Sequence, residues 1–403
     1  MAVLPTEIIA EILSKLPVKI LLRFLCVCKA WNLLIKTPNF IKLHLNQTLI
    51  SNSDRHILLY YPFLYSAELD IHHDRISFSK LHHPLSPLQV HLFGSCNGII
   101  CIADPSKTDI FLFNPLTKSH RKLPANKILN SDIGYVLFGF GYDSKNDDYK
   151  VLRLVQGFTN DKMFYSEAKL CSLNNNSWKS VEGISLYLIY ADCHGVLVNE
   201  ALHYIVNSEE LGSSGKFIAS FDLQNESFSL MDCSKFLGKG ESNLMMLLTE
   251  LDGCLCVMVN HLNNFILERA DLWVMKEYGN KESWAKLYSI GQECVRSGMQ
   301  IKPIVYSKDG KSILLEIDVS KFAWYDLESK NVEIFTPRGL PDGALETGCF
   351  IGSLVSLDNK LDSEKETLPK KNKKKYFGVQ KLKHRQLTFF FVGLTSTGLM
   401  IST

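Results

Sequence analysis

The sequence predicts a mostly β protein, in which an N-terminal three-helix module is followed by a β-propeller-like repeat domain of about six blades. Three observations lead to this prediction. Helical hydrophobic periodicity is confined to the N-terminus, and short apolar runs separated by turn residues replace it from about residue 55. One hairpin pattern then recurs about every 50 residues. The length of 403 residues exceeds one ordinary core of ~100–200 residues but suits a repeat of small units.

The helical module is marked by prolines and apolar stripes. Pro5 suits the first turn of a helix, Pro17 ends that helix, and Pro38 opens the third one. The apolar residues at helical spacing are Ile8, Ile9, Ile12, Leu13 and Leu16 in the first helix, Ile20, Leu21, Phe24, Leu25, Cys28 and Trp31 in the second, and Phe40, Ile41, Leu43 and Leu45 in the third. A module this small cannot bury all of them, so an exposed apolar patch that binds a partner is expected.

The same module resembles the plant F-box over about 45 residues without a gap. The matching motifs are Leu4–Ile9 (LPTEII), Ile12–Lys19 (ILSKLPVK), Leu22–Phe24 (LRF), Val27–Trp31 (VCKAW) and Pro38–Ile41 (PNFI). The resemblance implies that the module binds a Skp-type adaptor, which links it to cullin. The adaptor-binding residues that it implies are Leu4, Pro5, Ile8, Ile9, Ile12, Leu13, Leu16, Pro17, Val27, Cys28 and Trp31.

Five hairpins in the β region share one pattern, in which an apolar strand leads into a polar turn and then into an aromatic or aliphatic strand. The residues that follow the five turns are His120, Trp178, Phe228, Trp284 and Val332, at spacings of 58, 50, 56 and 48 residues. A period near 50 with several strands per unit is typical of kelch-like propeller blades. Between the hairpins, Asn97-Gly98 and Asp252-Gly253 predict turns that need a positive φ.

Residues 90–357 resemble the F-box-associated domain of plant F-box proteins. The matching motifs are Gly94–Cys101 (GSCNGIIC), Phe113–Thr117 (FNPLT), Arg121–Pro124 (RKLP), Gly139–Asp143 (GFGYD), Asp148–Val151 (DYKV) and Ser177–Trp178. The resemblance implies a closed, propeller-like interaction scaffold that selects a target protein. Closure removes exposed strand edges, and the loops of one face can vary to recognise a target.

The expected domains are an F-box over residues 1–47, a connector with candidate first strands over 48–90, the β domain over 91–360 and a tail over 361–403. The tail contains a basic cluster of Lys370, Lys371, Lys373, Lys374 and Lys375. Two interpretations stay open: a nuclear import signal or nucleic-acid contact, and a solvated linker. The apolar run over 387–401 is shorter than the ~20 residues of a membrane helix. It is a closing strand, a tail anchor or a tail outside the family pattern.

Composition limits the partners and the compartment. The net charge of +2 gives no overall attraction to nucleic acid, and neither nucleic acid nor membrane is expected as a partner. The 11 cysteines are irregularly spaced and form no C-x-x-C, which argues against a zinc domain of the RING type and predicts buried, reduced thiols. The N-terminus has no secretory signal pattern, so we expect the cytoplasm, the nucleus or both.

Catalytic motifs of hydrolases, zinc proteases and P-loop enzymes are absent from the sequence. His72-His73 and His82-His83 are expected in a solvated loop, and no metal or cofactor is predicted. We therefore predict a non-catalytic substrate receptor of an SCF-type (Skp–cullin–F-box) ubiquitin ligase, which delivers its target for proteasomal degradation and acts through proximity. The alternatives are a carbohydrate- or small-molecule-binding propeller that uses the F-box for assembly only, and a hydrolase built on a propeller.

Overall fold

The computed structural model describes residues 4–357 except 61–62, 70–75, 126–134, 159–160, 162, 189–193, 208–215, 234–235, 237–242, 292–299, 319–320 and 341–345. One compact unit comprises Met1–Asp358, and Asn359–Thr403 form a second unit. The basic cluster, the apolar C-terminal run and His72-His73 lie outside the described residues.

The N-terminal module has four helices: α1 (Thr6–Ser14), α2 (Val18–Phe24), α3 (Lys29–Ile35) and α4 (Pro38–Ser51). The prediction of three helices is wrong at the second one, which is divided in two. Cys28 breaks it because its backbone is extended, with φ −156° and ψ 161°. The Cys28 sulfur accepts a hydrogen bond from the Trp31 N–H at 3.5 Å and so caps α3.

Both ends of α4, the last helix of the module, are defined by capping residues. The Thr37 side chain caps the start of this helix by accepting a hydrogen bond from the Phe40 N–H at 3.2 Å. At the other end, Asn52 adopts a left-handed conformation with φ 49°. The chain then enters the first β-strand at Arg55, so only three residues separate the helices from the β domain.

The strands of the described residues form six antiparallel sheets, so the predicted propeller with about six blades is confirmed. Blade 1 contains β1 (Arg55–Tyr60), β2 (Tyr65–Glu68), β3 (Ser79–Lys80) and β25 (Glu346–Ile351). Blade 2 contains β4 (His91–Cys96), β5 (Ile99–Ala103), β6 (Ile110–Phe113) and β7 (His120–Lys122). Blade 3 contains β8 (Tyr135–Asp143), β9 (Asp148–Phe158), β10 (Phe164–Ser172) and β11 (Ser177–Val181).

The other three blades follow in chain order. Blade 4 contains β12 (Tyr187–Leu188), β13 (Val196–Val198), β14 (Ala201–Asn207), β15 (Lys216–Asp222) and β16 (Ser227–Asp232). Blade 5 contains β17 (Leu244–Leu251), β18 (Cys254–Asn263), β19 (Ile266–Met275) and β20 (Trp284–Gly291). Blade 6 contains β21 (Ile301–Tyr306), β22 (Ser312–Ile317), β23 (Lys321–Asp326) and β24 (Val332–Phe335).

The ring is closed by its two ends, because β25 from the end of the β domain pairs antiparallel with β1 from its start. The pairing runs from Arg55 opposite Ile351 to Tyr60 opposite Glu346. The five hairpins predicted from the sequence are the outer strand pairs of blades 2 to 6. The outer pair of blade 1 lacks their pattern because β3 has only two residues.

The apolar core lies in layers between neighbouring blades, with one buried cluster at each of the six blade interfaces. The helical module has a separate cluster, built on Leu13, Val18, Leu21, Ile35 and Phe40. Inner strands such as β5 and β22 are buried along their whole length, as expected for strands packed on both faces. This layered core holds the loops and turns of both propeller faces in place.

Two sequence-based expectations about single side chains are wrong. Cys26 and Cys28 are exposed rather than buried, because the turn between α2 and α3 directs both of them outward. His83 is buried rather than solvated, and burial lowers its pKa to about 4. The turn predictions hold, since Gly98 and Gly253 have φ of +78° and +77°.

Candidate functional site

A stripe of exposed apolar side chains runs along α1 and the residues just before it. Leu4, Ile8 and Ile12 have exposed fractions of 57%, 43% and 52%. Residues four apart lie above one another on a helix, so these side chains form one continuous face. Burying large apolar side chains is worth ~1.5–3 kcal/mol each, and an exposed stripe of this kind is typical of partner-binding surfaces.

The other predicted adaptor-binding residues surround this stripe at different depths. Pro5, Pro17, Val27 and Cys28 are exposed, and Ile9, Leu16 and Trp31 are half-buried. Leu13 is 2% exposed and belongs to the core of the helical module. We define the exposed residues of the set as the adaptor face: Leu4, Pro5, Ile8, Ile12, Pro17, Val27 and Cys28.

The end of α1 is held by a buried histidine from α4. The His44 Nε2 lies 2.9 Å from the Leu16 carbonyl oxygen and donates a hydrogen bond to it. Burial lowers the pKa of His44, so its ring is neutral at physiological pH. This contact fixes the Leu16-Pro17 corner, whose proline belongs to the adaptor face.

The helical module is joined to the propeller through Asp54, which lies between α4 and β1. The Val18 N–H, at the start of α2, donates to Asp54 Oδ2 at 2.9 Å, and His56 Nε2 lies 3.2 Å from Asp54 Oδ1. Burial opposes ionisation of this carboxyl, but the hydrogen bonds from His56 and Val18 outweigh it and lower its pKa. Asp54 is therefore a carboxylate that contacts both modules.

The helices lie over the propeller face that carries the turns between β8 and β9, between β17 and β18 and between β6 and β7. Lys42 of α4 forms an ion pair with Asp147 at 3.0 Å, and Asn52 donates to Asp252 at 2.8 Å. Leu116 packs against the core of the helical module. We call this the proximal face, and the opposite one the distal face. Because β8 has nine residues, the two faces are roughly 25 Å apart along it.

The distal face carries a cluster of four aromatic side chains, from the start of β8, the end of β9, the start of β10 and β12. Their ring centroids are 5.8 to 6.3 Å apart, and the four residues are Tyr135, Phe158, Phe164 and Tyr187. Phe158 and Tyr135 keep exposed fractions of 55% and 41%, and the neighbouring Met163 keeps 67%. We call this the aromatic cluster. Solvent-exposed aromatic and methionine side chains are typical of protein-binding surfaces.

A cavity of about 360 Å³ lies on the propeller axis between the innermost strands. Its wall is mainly apolar, and Lys302 and His194 supply polar groups. The Lys302 ammonium donates to the Thr347 carbonyl at 2.9 Å and lies 4.0 Å from the Glu316 carboxylate. Burial, with a smaller contribution from Lys302, lowers the pKa of His194 to about 4, so its ring is neutral.

Two family models match the chain at the positions of these two modules. The model described as F-box domain covers residues 2–43, and the model described as F-box associated beta propeller domain covers residues 57–336. The chain belongs to the F-box proteins with an associated β-propeller.

Two relatives of this F-box protein cover most of its length. It is 35% identical to the F-box protein CPR1 of Arabidopsis thaliana over 379 residues, which are 88% of this chain and 89% of the relative. It is 34% identical to the F-box protein At4g22390 of the same species over 378 residues, which are 88% and 90% of the two chains. Among solved structures, the Dos1 propeller aligns with 69% of this chain and 68% of its own at a TM-score of 0.37 and 13% identity.

Sequence patterns predicted the residues of the adaptor face but missed the junction at Asp54 and the aromatic cluster. The junction gives no local signal, because the residues that Asp54 connects, Val18 and Gly352, are distant from it in sequence. The cluster gathers residues from four strands, and each one alone is an ordinary aromatic residue in a strand. Within the described ranges, no helix is long and apolar enough to cross a membrane.

Proposed function

We propose that this F-box protein is the substrate-recognition subunit of an SCF-type ubiquitin ligase. The observation that carries the proposal is the apolar stripe of Leu4, Ile8 and Ile12, which remains exposed within a matched F-box. The F-box binds a Skp-type adaptor and, through it, cullin. The propeller binds a target protein for ubiquitination. The receptor contributes no catalytic group and accelerates transfer by holding target lysines near the ubiquitin-charged enzyme.

The arrangement of the two faces supports this role. The adaptor face belongs to the helical module, which lies over the proximal face, whereas the aromatic cluster is on the distal face. The two propeller faces are roughly 25 Å apart along β8. A target on the distal face does not compete with the helical module for the same surface. The two binding events are therefore independent, as a receptor that bridges two proteins requires.

The test is co-precipitation of a Skp-type adaptor and cullin with the full-length chain. The triple variant Leu4→Ala/Ile8→Ala/Ile12→Ala is expected to lose both proteins while keeping the thermal unfolding of the wild type. The matched control Leu43→Ala/Leu49→Ala/Ile50→Ala removes three apolar side chains of α4 whose exposed fractions are 45%, 50% and 83%. The control is expected to recover both proteins as the wild type does. Equal recovery of the adaptor with wild type and the α1 variant contradicts the proposal.

We further propose that the target contacts the aromatic cluster. Tyrosine and phenylalanine supply large apolar contact area at low entropic cost, which is why they concentrate in binding hot spots. Burial, together with the hydrogen bond to Tyr135, raises the pKa of Tyr187 to about 12, so the Tyr187 hydroxyl is protonated at physiological pH. The change Phe158→Ala is expected to reduce target recovery and leave adaptor recovery unchanged. Loss of the adaptor in this variant would contradict the separation of the two faces.

A second candidate function is binding of a small molecule or carbohydrate in the axial cavity. Its volume of about 360 Å³ lies within the range of ligand pockets, and its mainly apolar wall with a few polar groups is typical of them. A glycan array and a thermal-shift screen of metabolites test this function. Binding that is lost in Lys302→Ala supports it, and the absence of any binder counts against it.

The proposed complex works in the cytoplasm, the nucleus or both. The basic cluster from Lys370 to Lys375 is proposed as a nuclear import signal. Replacing its five lysines with glutamine is expected to lower the nuclear fraction of a fluorescent fusion. An unchanged nuclear fraction contradicts this assignment without affecting adaptor binding.

A further inference from the structure

The chain that follows the last strand forms a connection between the F-box and the propeller. We define residues 352–357 as the closing segment. It follows β25, has no regular secondary structure and is buried or half-buried at every position but Ser356. Its contacts reach the F-box core, the Asp54 junction and blade 2.

Leu354 of the closing segment completes the core of the F-box. Its side chain is 7% exposed and packs in one cluster with Leu13, Val18 and Leu21. These residues belong to α1 and α2, and the adaptor face consists of two residues of α1 and of residues that flank the two helices. An F-box without Leu354 therefore lacks part of its own interior.

Backbone contacts hold the closing segment in this position. The Gly352 N–H donates to the Asp54 carbonyl at 2.7 Å, and a Cβ on Gly352 would lie only 1.9 Å from Asp54 Oδ2. Only glycine fits at this point of contact. The same Asp54 carboxylate accepts the N–H of Val18, so the segment, the linker and α2 meet at one residue.

The segment is tied equally firmly to blade 2. The fully buried Asn114 side chain donates to the carbonyl oxygens of Ser353 and Val355 at 2.9 and 2.8 Å. The Leu357 N–H donates to Ser119 Oγ at 2.7 Å. Leu357 itself packs in the apolar cluster between blades 2 and 3. The closing segment is thus anchored in the propeller at both sides of Leu354.

We propose that the closing segment is a functional part of the F-box, in which Leu354 is a positioning residue for the adaptor-binding helices. Leu354 lies more than 300 residues from the F-box in sequence and makes adaptor binding depend on a closed propeller, because β25 must pair with β1 to bring it into place. The adaptor part of this inference rests on the proposed function. The structural part, that Leu354 stabilises α1 and α2, does not.

The experiment compares Leu354→Ala with Leu357→Ala in the full-length chain. The two leucines are three residues apart and similarly buried, at 7% and 4% exposure, but only Leu354 contacts the F-box core. Leu354→Ala is expected to accelerate amide hydrogen exchange in α2 by about tenfold or more and to weaken adaptor binding, with the propeller amides unchanged. Leu357→Ala is expected to accelerate exchange in blades 2 and 3 and to leave α2 and adaptor affinity unchanged.

A conservative variant separates positioning from general damage. Leu354→Met keeps the volume and apolar character of the side chain, so it is expected to restore both the exchange rates of α2 and the adaptor affinity. Equal α2 exchange in Leu354→Ala and the wild type, or equal acceleration by Leu357→Ala, overturns the inference. If α2 exchange responds as expected but the wild type binds no adaptor, the proposed function fails and the structural inference stands.

Discussion

Ile12 and Leu13 are neighbours on α1, but their alanine variants are expected to fail in different ways. Ile12 keeps 52% of its surface exposed, whereas Leu13 keeps 2% and belongs to the core of the F-box. The change Ile12→Ala should therefore weaken adaptor binding with little effect on folding. The change Leu13→Ala should instead destabilise the F-box.

The magnitudes follow from the exposed fractions. Full burial of a large aliphatic side chain is worth ~1.5–3 kcal/mol, and Ile12 has about half of its surface left for a partner to cover. Ile12→Ala should remove about 1 kcal/mol from adaptor binding, which corresponds to roughly a fivefold higher Kd. For Leu13→Ala, the loss of a buried leucine side chain is expected to lower the free energy of unfolding by ~2–5 kcal/mol.

Calorimetric titration with a purified Skp-type adaptor gives the Kd, and urea unfolding monitored by hydrogen exchange of α1 gives the stability of the F-box. Both variants are measured beside the wild type. We expect Ile12→Ala to raise the Kd without lowering the free energy of unfolding, and Leu13→Ala to lower the free energy of unfolding clearly. If Ile12→Ala binds the adaptor with the Kd of the wild type and has the same free energy of unfolding, the assignment of this stripe to the adaptor face is refuted.

Three further predictions concern the propeller. Burial lowers the pKa of His203 from 6.5 to about 4. Between pH 6.5 and pH 4, this histidine is therefore protonated in the unfolded chain but neutral in the folded protein. The free energy of unfolding consequently falls as the pH is lowered through this range. The loss is about 3 kcal/mol at pH 4, and urea unfolding of His203→Gln should lack this part of the pH dependence. Gly98→Ala should cost at least about 2 kcal/mol, because its φ is +78° and the added Cβ would lie 2.2 Å from that of Ser353. Gly253→Ala has the same backbone strain at φ +77° but open space around it, so urea unfolding should show a smaller loss, and equal losses would contradict the role of crowding. Phe158→Ala should change the free energy of unfolding by no more than about 1 kcal/mol, because the side chain is 55% exposed. A larger loss would show that Phe158 contributes to the packing of the core.

Sequence patterns predicted the fold because its signals are local. The spacing of Ile8, Ile9, Ile12, Leu13 and Leu16 indicates one helix, and the turn glycines Gly98 and Gly253 mark sharp bends between strands. The same periodicity could not decide that Ile12 is exposed and Leu13 buried, since both fit the stripe. That choice depends on which side of α1 packs against the rest of the module.

The parts that sequence patterns missed depend on contacts between distant residues. Asp54 joins Val18 to Gly352, and Leu354 enters the core of helices more than 300 residues earlier. The second predicted helix is divided because the backbone of Cys28 is extended. The hydrophobic stripe continues through Cys28, so its periodicity gives no sign of this break. The contacts of Gly352 and Leu354 follow from the closed ring, in which β25 pairs with β1.

The most direct test of the central claim is proximity labelling in cells under proteasome inhibition. The wild-type chain is compared with the Leu4→Ala/Ile8→Ala/Ile12→Ala variant, both fused to the labelling enzyme. We expect the two chains to label a common set of proteins, because the distal face is intact in both, and we expect these proteins to carry ubiquitin only with the wild type. Equal ubiquitination of the labelled proteins with both chains would contradict the proposed receptor function.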